Sequence, residues 1–153
     1  MSTTGGNAVQ PRSPLRTAAL LVGAVFLLVG VLGFVPGITT HYGDMSGAGP
    51  NSDAELLGAF RVSILHNIVH LLFGVAGVVL SRTNEGSRLY LIGGGVIYLV
   101  LWLYGLVVDK NSDANFVPLN TADDWLHFLL GVGMIGLGVV LSRNLRTARA
   151  ARA

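Results

Sequence analysis

Asn67-Ile-Val-His70-Leu-Leu-Phe-Gly74 returns further along the chain as Asp124-Trp-Leu-His127-Phe-Leu-Leu-Gly131. In each copy a polar residue stands three positions before a histidine and a glycine four after it, inside an apolar run of membrane length. Both runs close on the same pentapeptide, Val78-Val-Leu-Ser-Arg82 and Val139-Val-Leu-Ser-Arg143, although the second takes four more residues, about one helical turn, to reach it. A duplicated pair of helices, each with a histidine inside it, accounts for this pattern. The repeat would relate helices 1 and 2 to helices 3 and 4 in parallel fashion. Helices 1 and 3 match only weakly, through Leu20-Leu-Val-Gly23 and Tyr90-Leu-Ile-Gly93.

Around these two stretches the chain is strongly apolar. Of its 153 residues, 52% are hydrophobic and 12% charged, a balance outside that of ordinary soluble domains. The apolar residues gather into four runs, Thr17–Val35, Phe60–Leu80, Leu89–Val108 and Trp125–Leu141, each near the length that crosses about 30 Å of hydrocarbon. A soluble bundle would place polar residues on the outer face of each helix, and these runs carry almost none. The expected fold class is therefore all-α: an integral membrane four-helix bundle of two helical hairpins. The first run follows Arg12 and Arg16, but it is longer than a signal-peptide core and runs into Pro36-Gly37, so it reads as a retained helix.

Charge sets the orientation. Eight of the ten basic residues lie in the N-terminal segment, the loop between helices 2 and 3, and the C-terminal segment: Arg12, Arg16, Arg82, Arg88, Arg143, Arg146, Arg149 and Arg152. Seven of the eight acids, Asp44, Asp53, Glu55, Asp109, Asp113, Asp123 and Asp124, lie on the other side with Arg61 and Lys110. The positive-inside rule then places both termini of this multi-pass chain in the cytoplasm. Three parts follow: a disordered cytoplasmic tail over residues 1–16, a transmembrane domain over 17–142, and a basic cytoplasmic tail over 143–153. The basic residues are not interleaved with aromatics in any nucleic-acid-binding motif, so no nucleic-acid partner is expected. The expected partners are the lipid bilayer, with other membrane proteins or a second copy of the chain as further candidates. Absence of cysteine excludes disulfides, iron–sulfur clusters and thiol catalysis.

The outer loop Pro36–Ala59 is expected to be flexible across its Gly-, Ser- and Pro-rich middle, Gly43–Asp53, with Asp53–Leu57 starting a helix. The inner loop is expected over Ser81–Ser87. In the second outer loop, Asp109–Thr121, Asn120 or Thr121 is the expected cap of helix 4.

At 100° per residue, Ser63, Asn67, His70 and Gly74 share one line on helix 2, with His66 to one side. Asp124 and Gly131 form a similar line on helix 4, with His127 beside it. Lipid would penalise these stripes, so they are expected to face each other or a common interior. The motif aligns His70 with His127. Depth instead aligns His66 with His127, since each lies fourteen residues before the last leucine of its run, roughly 21 Å above the inner boundary. Three roles are open to these histidines. They could hydrogen-bond within the bundle and lock its register. Alternatively, His66, His70 and His127 with Asp124 could hold a divalent metal, or histidines of the two helices could ligate a haem b.

The segments Leu56-Leu-Gly-Ala-Phe60, His66-Asn67-Ile-Val-His70-Leu-Leu-Phe-Gly74 and Asp124-Trp-Leu-His127-Phe-Leu-Leu-Gly131 together resemble an uncharacterised family of bacterial membrane proteins, domain of unknown function 4383. The resemblance spans about Arg16 to Arg143. It implies four transmembrane helices, a place in a bacterial cytoplasmic membrane and no assigned activity. The resulting expectation is a membrane protein without intrinsic catalysis, acting as an accessory or scaffold component or as an outward-facing binding module. Its rival is a small haem or metal protein transferring electrons or ions.

Overall fold

A computed structural model of the protein describes residues 12–151. Most of the expected N-terminal tail, and Arg152, lie outside the described residues. Four helices dominate: α1 (Pro14–Leu32), α2 (Ile64–Leu80), α3 (Asn84–Val107) and α4 (Thr121–Ala150). Between α1 and α2 the chain forms three two-residue strands, β1 (Thr39–Thr40), β2 (Glu55–Leu56) and β3 (Phe60–Arg61), paired antiparallel in that order.

Local chemistry explains where the helices begin and end. Ser13 caps α1 by accepting from the Arg16 N–H at 3.3 Å, and Pro14 stands at the first helical position, where its missing N–H costs nothing. Helix α1 therefore starts inside the expected tail. It ends at Leu32, short of the expected Val35, because Gly33 caps it and Pro36 cannot continue it. The hydroxyl of Thr83 caps α3, so Glu85, Ser87 and Arg88, expected in a loop, belong to that helix. Helix α4 runs on through Arg143 and Arg146 to Ala150. This basic stretch contains no Gly or Pro and is rich in Ala, Leu and Arg, all good helix formers, so the helix continues through most of the basic C-terminal segment.

The Pro36–Ala59 loop, expected on the outer side, is an ordered cap. Asp53–Leu57 does not start a helix, because Glu55 and Leu56 pair with strands on both sides. Nor is Phe60-Arg61 helical: it forms β3, which shortens α2 to 17 residues. The glycine-rich middle is held by backbone bonds, with Asp53 N donating to Asp44 O and Gly49 N reaching Phe116 O in the loop between α3 and α4. Ser52 Oγ accepts from Ser46 N at 3.2 Å and donates to Val62 O. Beneath the cap, Ala54, Leu56 and Val62 bury themselves against Val29, Leu32 and Ile38. This burial outweighs the flexibility that composition suggested. Between β2 and β3 the chain reverses through Leu57 and Gly58, both left-handed, at φ 56° and 66°.

Helix α1 packs mainly on α2, and α3 mainly on α4, giving two hairpins that meet through α3. Leu15, Ala19, Phe26, Tyr90, Leu91, Tyr98 and Met134 fill the middle. The outward faces are equally apolar: Leu21, Val25 and Leu28 on α1, Val96, Val100 and Leu103 on α3, and Leu129, Val132 and Val140 on α4 all stand exposed. Among the described residues three helices, α1, α3 and α4, are long and apolar enough to cross a membrane. Helix α2, at 17 residues, spans roughly 25 Å and falls just short of that length.

Candidate functional site

The cap loop finishes the N-terminus of α2 and so fixes its first histidine. A helix leaves its first four N–H groups without intrahelical partners. Here Ser46 O accepts from Ile64 N, Gly47 O from Leu65 N and Ser63 Oγ from His66 N, and the first intrahelical bond follows from Asn67 N to Ser63 O. His66 is thereby set in the first turn, facing inward. One turn on, the ring of His70 lies edge-on to it, with centroids 4.4 Å apart, and His70 Nδ1 meets His66 O at 3.0 Å. A carbonyl only accepts, so Nδ1 carries the proton and donates.

From His70 the contacts cross the bundle ring by ring. Phe26 of α1 lies 5.5 Å from His70, Tyr98 of α3 lies 5.3 Å from Phe26, and His127 of α4 lies 5.2 Å from Tyr98. Phe73 packs against both Phe26 and Tyr98. All three histidines are buried. The stripes of α2 and α4 thus share the interior without packing on one another: each docks on its own hairpin partner, with aromatic rings between them.

The two hairpins make corresponding contacts in matching register. Gly23 of α1 abuts Gly74 of α2, and Gly95 of α3 abuts Gly131 of α4. Leu27 packs over Gly74 as Leu99 does over Gly131. Three residues after Gly23 comes Phe26 against His70; three after Gly95 comes Tyr98 against His127. Asn67 lies on Gly33, and Asp124 lies on Gly105. Ser63 caps α2 through His66 N, and Asn120 Oδ1 accepts from Asp123 N at 2.9 Å. These contacts align His70 with His127 and His66 with Asp123, as the motif does and depth does not. They also align Gly23 with Gly95 in place of Gly93.

The acids of helix 4 are occupied. Lys110 Nζ lies 2.8 and 2.9 Å from the two carboxylate oxygens of Asp124. Asp123 Oδ2 accepts from Asn120 N at 3.0 Å and from the backbone N–H of Arg61 at 3.2 Å, tying the cap sheet to α4. Asp124, a candidate metal ligand, already has its cation. No group of three or more His, Asp or Glu side chains among the described residues converges tightly enough to hold a metal ion. Three ring nitrogens, His66 Nδ1, His66 Nε2 and His127 Nδ1, are nevertheless buried without a hydrogen-bond partner among the described residues.

Sequence reasoning named the histidines, Asn67, Asp124, Ser63 and both glycines, but it missed Phe26, Tyr98 and the pairing role of Lys110. A signal for the first two exists: Gly23-Ala-Val-Phe26-Leu27 and Gly95-Val-Ile-Tyr98-Leu99 share a Gly-x-x-aromatic-Leu pattern. The Gly93-Gly94-Gly95 triplet hid it by offering three alignments.

No curated protein and no solved structure matches the chain. The family model described as Domain of unknown function (DUF4383) matches residues 16–140, nearly the whole helical unit that carries the histidines, and the chain belongs to that family.

Proposed function

We propose that the protein is a multi-pass component of a bacterial cytoplasmic membrane, with both termini cytoplasmic, built from two copies of one helical hairpin. In this reading it serves as a non-catalytic scaffold or outward-facing binding module. The observation that carries it is the chain of rings from His66 to His127. Histidines set edge-to-face on each other within α2, and tilted against phenylalanine in one hairpin and tyrosine in the other, behave as packing and register elements. The matched glycine contacts support the duplication, and the apolar outer faces support a lipid surround. Helix α2 is short for a span, but a bilayer accommodates a few ångströms of mismatch by local thinning, and its polar first turn would sit at the outer interface.

A second reading, a metal or haem protein, draws on the unpartnered ring nitrogens of His66 and His127. It requires the packed rings of Phe26, Phe73 and Tyr98 to open for a haem, or the histidines to converge for a metal. Absorption spectra and metal analysis of purified protein separate the two readings. The structural reading expects no Soret band and no stoichiometric metal. It also expects His127→Ala to destabilise the bundle by about 2 kcal/mol, because a buried ring leaves a cavity beside Tyr98. A cofactor lost in His127→Ala would establish the second reading. An apo protein whose melting was unchanged by alanine at His66, His70 and His127 together would remove both.

A further inference from the structure

At the end of the bundle opposite the cap, α3, α4 and Leu15 of α1 line a groove of about 630 Å³. Ile92, Gly93 and the exposed Leu89 contribute apolar lining from α3, and Arg88 of α3 and Arg146 of α4 contribute two cations. A second hollow of about 280 Å³ shares Arg88 and Arg146 and adds Arg143. The two shared arginines therefore flank both depressions. Glu85 is the one carboxylate in the lining, and no arginine of the groove lies within 4.0 Å of a carboxylate among the described residues. The groove thus combines uncompensated positive charge with an apolar floor that is open on one side: a Cβ at Gly93 would meet only Leu89, at 3.8 Å.

We propose that this groove is a binding site for an anionic phospholipid of the inner leaflet, its phosphate between Arg88 and Arg146 and an acyl chain along Ile92 and Gly93. A free phosphate ester would satisfy the arginines alone. The apolar floor favours the lipid, and basic clefts between helices on the cytoplasmic side are where anionic headgroups bind. The proposal rests on the membrane placement and orientation given above.

The test is native mass spectrometry of delipidated protein in non-ionic detergent, titrated with dioleoyl phosphatidylglycerol or dioleoyl phosphatidylcholine. Expected is one retained phosphatidylglycerol, bound roughly tenfold more tightly than phosphatidylcholine. The R88Q/R146Q variant should lose that preference, and Gly93→Phe should weaken retention of both lipids by filling the floor. Arg82→Gln, outside the groove, should change neither. Equal retention of the two lipids by the wild type would overturn the site, as would an equal loss in Arg82→Gln. Displacement of the lipid by millimolar glycerophosphoglycerol would assign the arginines to a soluble phosphate ester. Alkaline carbonate extraction of the same variants keeps the two ideas apart. Protein that stays in the membrane but shows no lipid preference defeats this proposal alone, whereas protein released from the membrane defeats the placement beneath it.

Discussion

Gly74→Leu and Gly131→Leu are each expected to destroy the packed hairpin, at a cost of about 3 kcal/mol or more. At Gly74 a Cβ would come within 2.6 Å of the Leu27 backbone nitrogen and 2.9 Å of Gly23 O. At Gly131 it would meet Leu99 at 2.7 Å and Gly95 O at 3.0 Å. Side chains can turn aside, but the backbone of a neighbouring helix cannot, so the helices must separate. In lipid, that separation removes the close contact that drives association. Gly133 and Gly136 sit on the same helix with nothing within 4 Å, and alanine there should be neutral or stabilise by up to about 1 kcal/mol. Thermal unfolding in detergent, followed by size-exclusion chromatography, distinguishes these outcomes. Equal melting of Gly131→Leu and Gly133→Ala would show that the hairpin interface is not where the contacts place it.

Lys110→Ala is expected to cost about 2–3 kcal/mol, and more than Asp124→Asn. The Asp124 side chain is 8% exposed and that of Lys110 is 30%. Removing the lysine strands a nearly buried carboxylate, which is the expensive way to break such a pair. The partial exposure of the ammonium trims the figure from the fully buried case. Asparagine at 124 recreates the arrangement of the first hairpin, where Asn67 lies on Gly33 with its amide 3.8 Å from the Met45 sulfur and no cation beside it. The Lys110→Ala/Asp124→Asn double variant should therefore recover most of the loss. A double variant as unstable as the sum of its parts would mean that the two residues are not coupled.

Much of this architecture is written in the sequence because long apolar helices leave a simple signature. Long apolar runs, small residues on one face and a histidine at fixed spacing from a glycine marked all four helices and both interior stripes. The cap was illegible for the opposite reason. Thr39–Thr40, Glu55–Leu56 and Phe60–Arg61 are two-residue strands, too short for any alternation to register, and only their pairing around Ala54, Leu56 and Val62 defines them. Helices α1 and α4 both extend past the ends of their apolar runs into the flanking charged segments. Ser13-Pro14 starts a helix through capping chemistry, and arginines do not stop one. At the site, the histidines were visible but their neighbours were not. Phe26 and Tyr98 look like ordinary lipid-facing aromatics until α1 and α3 are rotated by their glycine contacts.

The central claim, a duplicated membrane hairpin with both termini inside, is tested most directly by single-cysteine labelling in intact cells, since the native chain contains no cysteine. Ala48→Cys and Ala114→Cys lie in the cap and the second outer loop; Arg82→Cys and Thr147→Cys lie at the turn after α2 and near the end of α4. The account predicts that a membrane-impermeant maleimide labels Ala48→Cys and Ala114→Cys in intact cells and reaches the other two only after permeabilisation. Equal labelling of Ala48→Cys and Arg82→Cys in intact cells would contradict it, because α2 would then not cross the membrane.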